Sequence, residues 1–140
     1  MRVFIDESAW IAIVDPENSH HQAMRERFER SLREGDTLFT HNVAMGLALE
    51  SIRQKMGPAS AFKFNETIED AYTGAHLTIL WVGRRTQKEA GRLLRSKPEL
   101  NLSIFGFAAY QMMKRRRILS IMTTKKAYRQ LGLDVIPEAD

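Results

Sequence analysis

Short apolar runs alternate along this chain with longer stretches in which apolar residues recur every third or fourth position. The first run, Val3 to Ile5, lies in a strand predicted over Arg2–Asp6. Ser8–Val14 continues as a short helix. Asp15-Pro16 stops it, because proline restricts the residue before it and cannot extend a helix. Asn18 or Ser19 is placed to cap a second helix, with Met24, Phe28 and Leu32 on one stripe and Gly35 at its end. A short strand follows at Thr37–Thr40. Asn42 then caps a third helix that turns Val43, Leu47 and Leu49–Ile52 to the core and ends near Gly57-Pro58.

A fourth helix is predicted from Ala59 to Ala71, closed by Gly74. The run Leu77–Val82 is continuous and β-rich, the pattern of a strand buried on both faces. A fifth helix spans Thr86–Arg95. Ser103 caps a sixth, with Ala108, Ala109, Met112 and Met113 inward. Ile118–Met122 is a fourth strand, Lys125–Leu131 a short helix, and Leu133–Ile136 a fifth strand ended by Pro137. Strands alternating with helices predict a three-layer α/β sandwich, a five-stranded parallel sheet with helices on both faces. No linker or internal repeat divides residues 1–140, so one domain is expected.

Charge changes this picture. The net charge of +4 conceals −4 over residues 1–83, +11 over residues 84–129 and −3 over the remainder. A block that basic suggests a polyanionic partner, nucleic acid first. The candidate phosphate contacts are Arg84, Arg85, Lys88, Arg92, Lys114, Arg115, Arg116, Arg117, Lys126 and Arg129, with Lys125 beside them. The absence of cysteine excludes disulfides and thiolate metal sites and fits a cytoplasmic protein. No apolar stretch approaches the ~20 residues of a membrane span. Asp6 and Glu7 interrupt what would be the apolar part of a secretory signal.

Ligands of parallel sheets bind outside the carboxyl ends of the strands. Here those ends are Asp6 to Ser8, Thr40 to Asn42, Val82-Gly83 and Met122 to Lys125. Neither glycine-rich phosphate loop, GxGxxG or GxxxxGK[ST], occurs.

The stretches "VFIDESAWIAIVDPENSHHQA", "THNVAMGLALESIRQKMGPASA", "LSIFGFAAYQMMKRRRI" and "IMTTKKAYRQLGLDVIP", in that order, resemble the PIN domain, and within it the VapC-type toxins of prokaryotic toxin–antitoxin pairs. The resemblance implies a PIN-like sandwich, commonly dimeric. For active members it implies Mg²⁺- or Mn²⁺-dependent cleavage of RNA. Hard cations want carboxylate oxygens, and ions held by several acids activate water and steady the phosphate.

Asp6 matches the first acid of that pattern, and Ser8 the small hydroxyl residue beside it. At the second acid's position stands Leu47, at the third Gly106, and at the fourth Lys125, in Thr123-Thr124-Lys125. Asn42, Ser103 and Thr123 are the expected neighbours of the site. Glu50 lies one turn beyond Leu47 and reads as a solvated surface acid. Glu7 and His41 complete the substitutes, and a lone histidine is more often a satisfied polar contact. Lys125 is expected to pair with Asp6, and Phe105 or Phe107 to fill the space left at Gly106.

Three functions follow. The first is a pseudonuclease that binds RNA, with no metal expected. The second is an active Mg²⁺- or Mn²⁺-dependent endoribonuclease using Asp6 with Glu50, Glu7 and His41. The third is an interaction protein, a homodimer or the holder of an antitoxin-like helix, using Met45, Met56, Met112, Met113, Phe62 and Phe64.

Overall fold

The computed structural model describes residues 1–138. Its elements are β1 (Arg2–Ile5), α1 (Glu7–Val14), α2 (His21–Glu34), β2 (Thr37–His41), α3 (Asn42–Met56) and α4 (Pro58–Thr73). There follow β3 (Leu77–Leu80), α5 (Arg84–Ser96), α6 (Ile104–Arg116), β4 (Ser120–Met122), a 3₁₀ helix (Lys126–Leu131) and β5 (Asp134–Ile136).

The five strands form one parallel sheet in the order β3-β2-β1-β4-β5. Strand β1 is central because Val3, Phe4 and Ile5 are all apolar and fully buried, which only a strand covered on both faces allows. Val3 and Ile5 face one layer with Trp10, Met24, Ile52, Phe64 and Ile68 of α1 to α4. Phe4 faces the other, with Ala90 of α5 and Phe107, Ala108, Met112 and Met113 of α6. The chain steps outward from β1 to β3, then returns across the sheet to β4. Right-handed crossovers put α1–α4 on one face and α5–α6 on the other. Between β1 and β4 the strand order switches direction, the place at which parallel sheets commonly bind ligands.

Several boundaries differ from the sequence reading, each for a local reason. Asp6 is not the last strand residue but the N-cap of α1, its carboxylate accepting from the Ala9 N–H. His20 stands at the head of α2 with no side-chain cap, whereas Asn18 accepts from the His20 N–H in the preceding turn. The buried stripe of α2 is Met24, Arg27 and Ser31, and Leu32 is exposed. Helix α3 buries Ala44, Ala48 and Ile52, small residues that let α3 approach the sheet, and leaves Leu47 in solvent.

Strand β3 is an edge strand in which Leu77 and Leu80 are buried and Thr78 is exposed. It is not enclosed on both faces, and it ends at Leu80. Helix α5 begins two residues before Thr86. Leu119, expected inside β4, is exposed before it. Among the described residues no helix is long and apolar enough to cross a membrane.

Candidate functional site

The crevice between β1 and β4 is closed by hydrogen bonds rather than left open. Asp6 is 1% exposed. One carboxylate oxygen accepts from the Ser8 hydroxyl at 2.6 Å and from the Ala9 N–H at 3.0 Å. The other accepts from the Thr123 hydroxyl at 2.5 Å. Ser8 Oγ in turn accepts from the Thr124 N–H at 3.0 Å, and Thr123 Oγ1 from the Lys125 N–H at 3.0 Å. The turn after β4 is thus laced to the β1–α1 junction through Asp6. A carboxylate has about four acceptor positions, and three are used.

Burial, then the neighbouring charge of Glu7, pushes the Asp6 carboxyl up to about 6, against the lowering pull of Ser8, Thr123 and Ala9. The Lys125 ammonium goes to Glu7, not to Asp6 as expected from sequence. Asp6 turns inward as the N-cap. Glu7, the first helical residue, is the partly buried acid within reach. Burial disfavours the ammonium, but its bond to Glu7 and the charges of Glu7 and Asp6 outweigh this and raise its pKa.

Gly106 is the second residue that departs from expectation. Ser103 caps α6 by accepting from the Gly106 N–H at 3.2 Å. A Cβ built on Gly106 would lie 2.9 Å from the Tyr128 hydroxyl and 3.4 Å from Leu102 Cβ. The vacated volume is therefore filled by Tyr128, from the 3₁₀ helix after β4, and not by Phe105 or Phe107. Phe107 points into the core. Tyr128 is 1% exposed, and burial, with Asp6 and Glu7 nearby, raises its pKa well above the ordinary value, so the phenol keeps its proton.

His41 is likewise fully committed. Its Nδ1 accepts from the Ala44 N–H at 2.9 Å as the cap of α3, a role the sequence reading assigned to Asn42. That fixes the proton on Nε2, which donates to the Phe105 carbonyl at 3.2 Å. Burial lowers the His41 pKa and keeps the ring neutral. Asn42 instead accepts from the Val82 N–H at 2.6 Å, tying α3 to the segment after β3. Thr40, read from the sequence only as a strand end, donates to the Ile5 carbonyl at 2.7 Å and accepts the Trp10 indole N–H at 3.1 Å. Glu50 is on the surface of α3, held by Arg53 and Gln54.

A hard divalent cation takes about six oxygen ligands; for Mg²⁺ these are commonly one or two free carboxylates with waters and substrate phosphate. Among the described residues no group of three or more His, Cys, Asp or Glu side chains stands together to hold one. Asp6 is engaged on both oxygens, Glu7 carries the Lys125 ammonium, and His41 has both nitrogens in use. These donors do not fit a Mg²⁺ or Mn²⁺ centre.

The basic residues are split between the two edges of the sheet. Lys114, Arg115, Arg116 and Arg117 end α6 at the amino edge, where Arg2 of β1 donates to the Arg116 carbonyl. Arg84, Arg85 and Lys88 open α5 just beyond β3, and Lys126 and Arg129 follow β4, on the edge that holds Asp6. Arg92 is farther along α5. Glu89 binds Arg85 at 3.3 Å and also takes Arg115.

Neither a family model nor a curated protein matches this sequence. Among solved structures it is similar to VapC20 of Mycobacterium tuberculosis, a toxin that cleaves the sarcin–ricin loop. The TM-score is 0.78 at 16% identity, over 94% of this chain and 95% of that one. The chain has the PIN fold. On that fold, the positions where the resemblance implies acids carry Asp6 after β1, Leu47 on α3, Gly106 at the start of α6 and Lys125 after β4. Leu47 faces solvent, Gly106 abuts Tyr128, and Lys125 carries its ammonium to Glu7.

Proposed function

We propose that this protein is a PIN-fold pseudonuclease: an RNA-binding module whose metal centre is replaced by a self-contained polar lock. The observation that carries this reading is the state of Asp6, buried, accepting three hydrogen bonds from protein donors and flanked by the Lys125–Glu7 ion pair. Affinity for RNA comes from lysine and arginine on phosphates, a sequence-blind and salt-dependent contact. The test is RNA binding measured against salt, alongside RNA incubation with Mn²⁺. Binding that weakens steeply with salt, with no cleavage, supports the reading. Manganese-dependent cleavage abolished by Asp6→Asn overturns it in favour of an endoribonuclease.

A protein partner is the second reading, favoured by one groove. An open cavity of about 360 Å³ lies between α1, α2 and α4, lined by Trp10, Ile13, Val14, Phe28, Phe64 and Ile68, with Arg25 and Lys63 at its rim. Apolar walls with a basic rim suit an amphipathic, acidic segment such as an antitoxin-like helix. A partner fragment that binds the protein but not its Phe28→Glu variant supports this use. Equal binding to both argues against it.

A further inference from the structure

Trp81 is 74% exposed, the most exposed large apolar side chain among the described residues. The only other tryptophan, Trp10, is 4% exposed and bonded to Thr40. Trp81 directly follows β3, and its surroundings are ordered. Asn42 holds the Val82 N–H, which fixes the backbone beside the ring. On one side, ring atom Cδ1 lies 3.7 Å from where a Cβ on Gly83 would stand, so glycine leaves that flank open. On the other, the ring borders an open groove of about 320 Å³ shared with Asn42, Met45, Gly46 and Leu49. The strand register puts Asp6, His41 and Leu80 in one row, so Trp81 stands one step beyond it. Two strand spacings separate it from Asp6, or roughly 10 Å.

The residues that follow are cations. Arg84, Arg85 and Lys88 are all exposed. Two of them occupy the first turn of α5, which contains no acid. A cation there opposes the helix dipole. Among the described residues only Arg85 of the three reaches a carboxylate, that of Glu89. Arg84 and Lys88 therefore serve neither the helix nor any acid among the described residues. A partner that is anionic, and that offers flat apolar faces to an indole, answers both features. Single-stranded nucleic acid is such a partner, because every unpaired base has a face to stack and a phosphate beside it.

We propose that Trp81 is a base-stacking platform, with Arg84 and Lys88 as its phosphate contacts, through which the protein selects single-stranded RNA over duplex. This rests on the RNA-binding reading above and names the form of RNA bound. In a duplex the bases are already stacked and paired, so the indole gains nothing there.

The experiment is tryptophan fluorescence of the full chain, titrated with a short mixed-sequence single-stranded RNA and with the matching duplex. Trp10 is buried, so the response reports Trp81. Single-stranded RNA is expected to quench the emission. Trp81→Leu is expected to weaken its binding by about 5- to 150-fold, the range for one stacked base, and to erase the preference over duplex. Trp81 is on the surface, so this variant folds, and circular dichroism verifies it. Unquenched, salt-dependent binding that is unchanged in Trp81→Leu overturns the stacking proposal and leaves the RNA-binding reading standing. No binding to either RNA at low salt overturns both. Emission that is blue-shifted in free protein and reddens on dilution, with a dimer by sedimentation, assigns Trp81 to a contact with a second copy and overturns the proposal.

Discussion

The hydroxyl of Tyr128 occupies the volume that a side chain on Gly106 would need, 2.9 Å from the built Cβ. Glycine in the first turn of a helix normally costs about 0.5–1 kcal/mol relative to alanine. Here the usual sign reverses. Gly106→Ala is expected to lower stability by about 1–3 kcal/mol, because Tyr128 is rigid and enclosed. In a Tyr128→Phe background the loss should fall by at least half, since the clashing oxygen is gone. Chemical denaturation of the four proteins of the cycle reads the coupling. Additive effects would mean that the two residues do not compete for the space.

Asp6 makes stability depend on pH in an unusual direction for a carboxylate. Its folded pKa of about 6 lies above the ordinary 3.8, so the folded state holds the proton more tightly than the unfolded one. The contribution is fully present below about 3.8 and is lost as pH rises through about 6. Asp6→Asn keeps an acceptor for Ser8 and Ala9 and removes the buried charge. It is expected to be more stable than the native protein at pH 8 by up to about 3 kcal/mol, with the advantage shrinking towards pH 4. Thermal unfolding at the two pH values measures this. A variant less stable at pH 8 would show that the charge itself is needed.

Removing the Lys125 ammonium leaves Glu7 and Asp6 as neighbouring acids without a cation. In Lys125→Met the Asp6 carboxyl should titrate above the native value, because an uncompensated like charge disfavours ionisation. The pair is partly solvated, so the loss in stability is expected to be about 1 kcal/mol. Carboxyl-carbon NMR titration follows the shift directly. An unchanged Asp6 titration would show that Lys125 has no electrostatic hold on it.

Metal affinity should require rebuilding several positions together. Lys125→Asp alone, or Gly106→Asp alone, is expected to bind no Mn²⁺ in calorimetry. Leu47→Asp, Gly106→Asp and Lys125→Asp combined with Tyr128→Ala should bind it, as acids then stand with Asp6 at all four positions that the resemblance assigns to acids. Heat of Mn²⁺ binding by the native protein that vanishes in Asp6→Asn would contradict the lock.

The split of basic residues between sheet edges predicts unequal effects on RNA binding. Neutralising Arg84 and Lys88 should reduce the slope of log affinity against log salt by about 0.7 for each phosphate that no longer meets a cation. Neutralising Arg116 and Arg117, at the other edge, should leave it nearly unchanged. Equal effects would require a strand that wraps both edges.

Much of this was legible in the sequence. Val3 to Ile5 announced a strand, and the place of Asp6 at its end followed from the polar residues after it, but its central position in the sheet was not legible. The partner of Lys125 was not legible. Asp6 and Glu7 are adjacent in sequence, and only the backbone turn from strand to helix decides which carboxylate caps and which points out. Tyr128 was harder still, a single aromatic in a short element without periodicity. A usable signal was present: glycine in the first turn of a helix at the site implies that something else fills the space, and a bulky residue after β4 was available to do so. Strand β3 misled because an apolar run looks alike at the edge and at the centre of a sheet, and Trp81 was counted into it.

The Thr123 hydroxyl reaches Asp6 across 117 positions of the chain. Strand β1 emerges before β4 in synthesis, yet its edge towards β4 stays bare until the segment from Ile118 onward is made. Closure at such separation is slow, and an unpaired apolar strand edge invites other chains to pair with it. A nascent chain halted before Ile118 would therefore hold a buried-strand sequence with one side open, prone to aggregate. The bond that seals Asp6 thus also marks the moment at which this protein becomes safe from its own central strand.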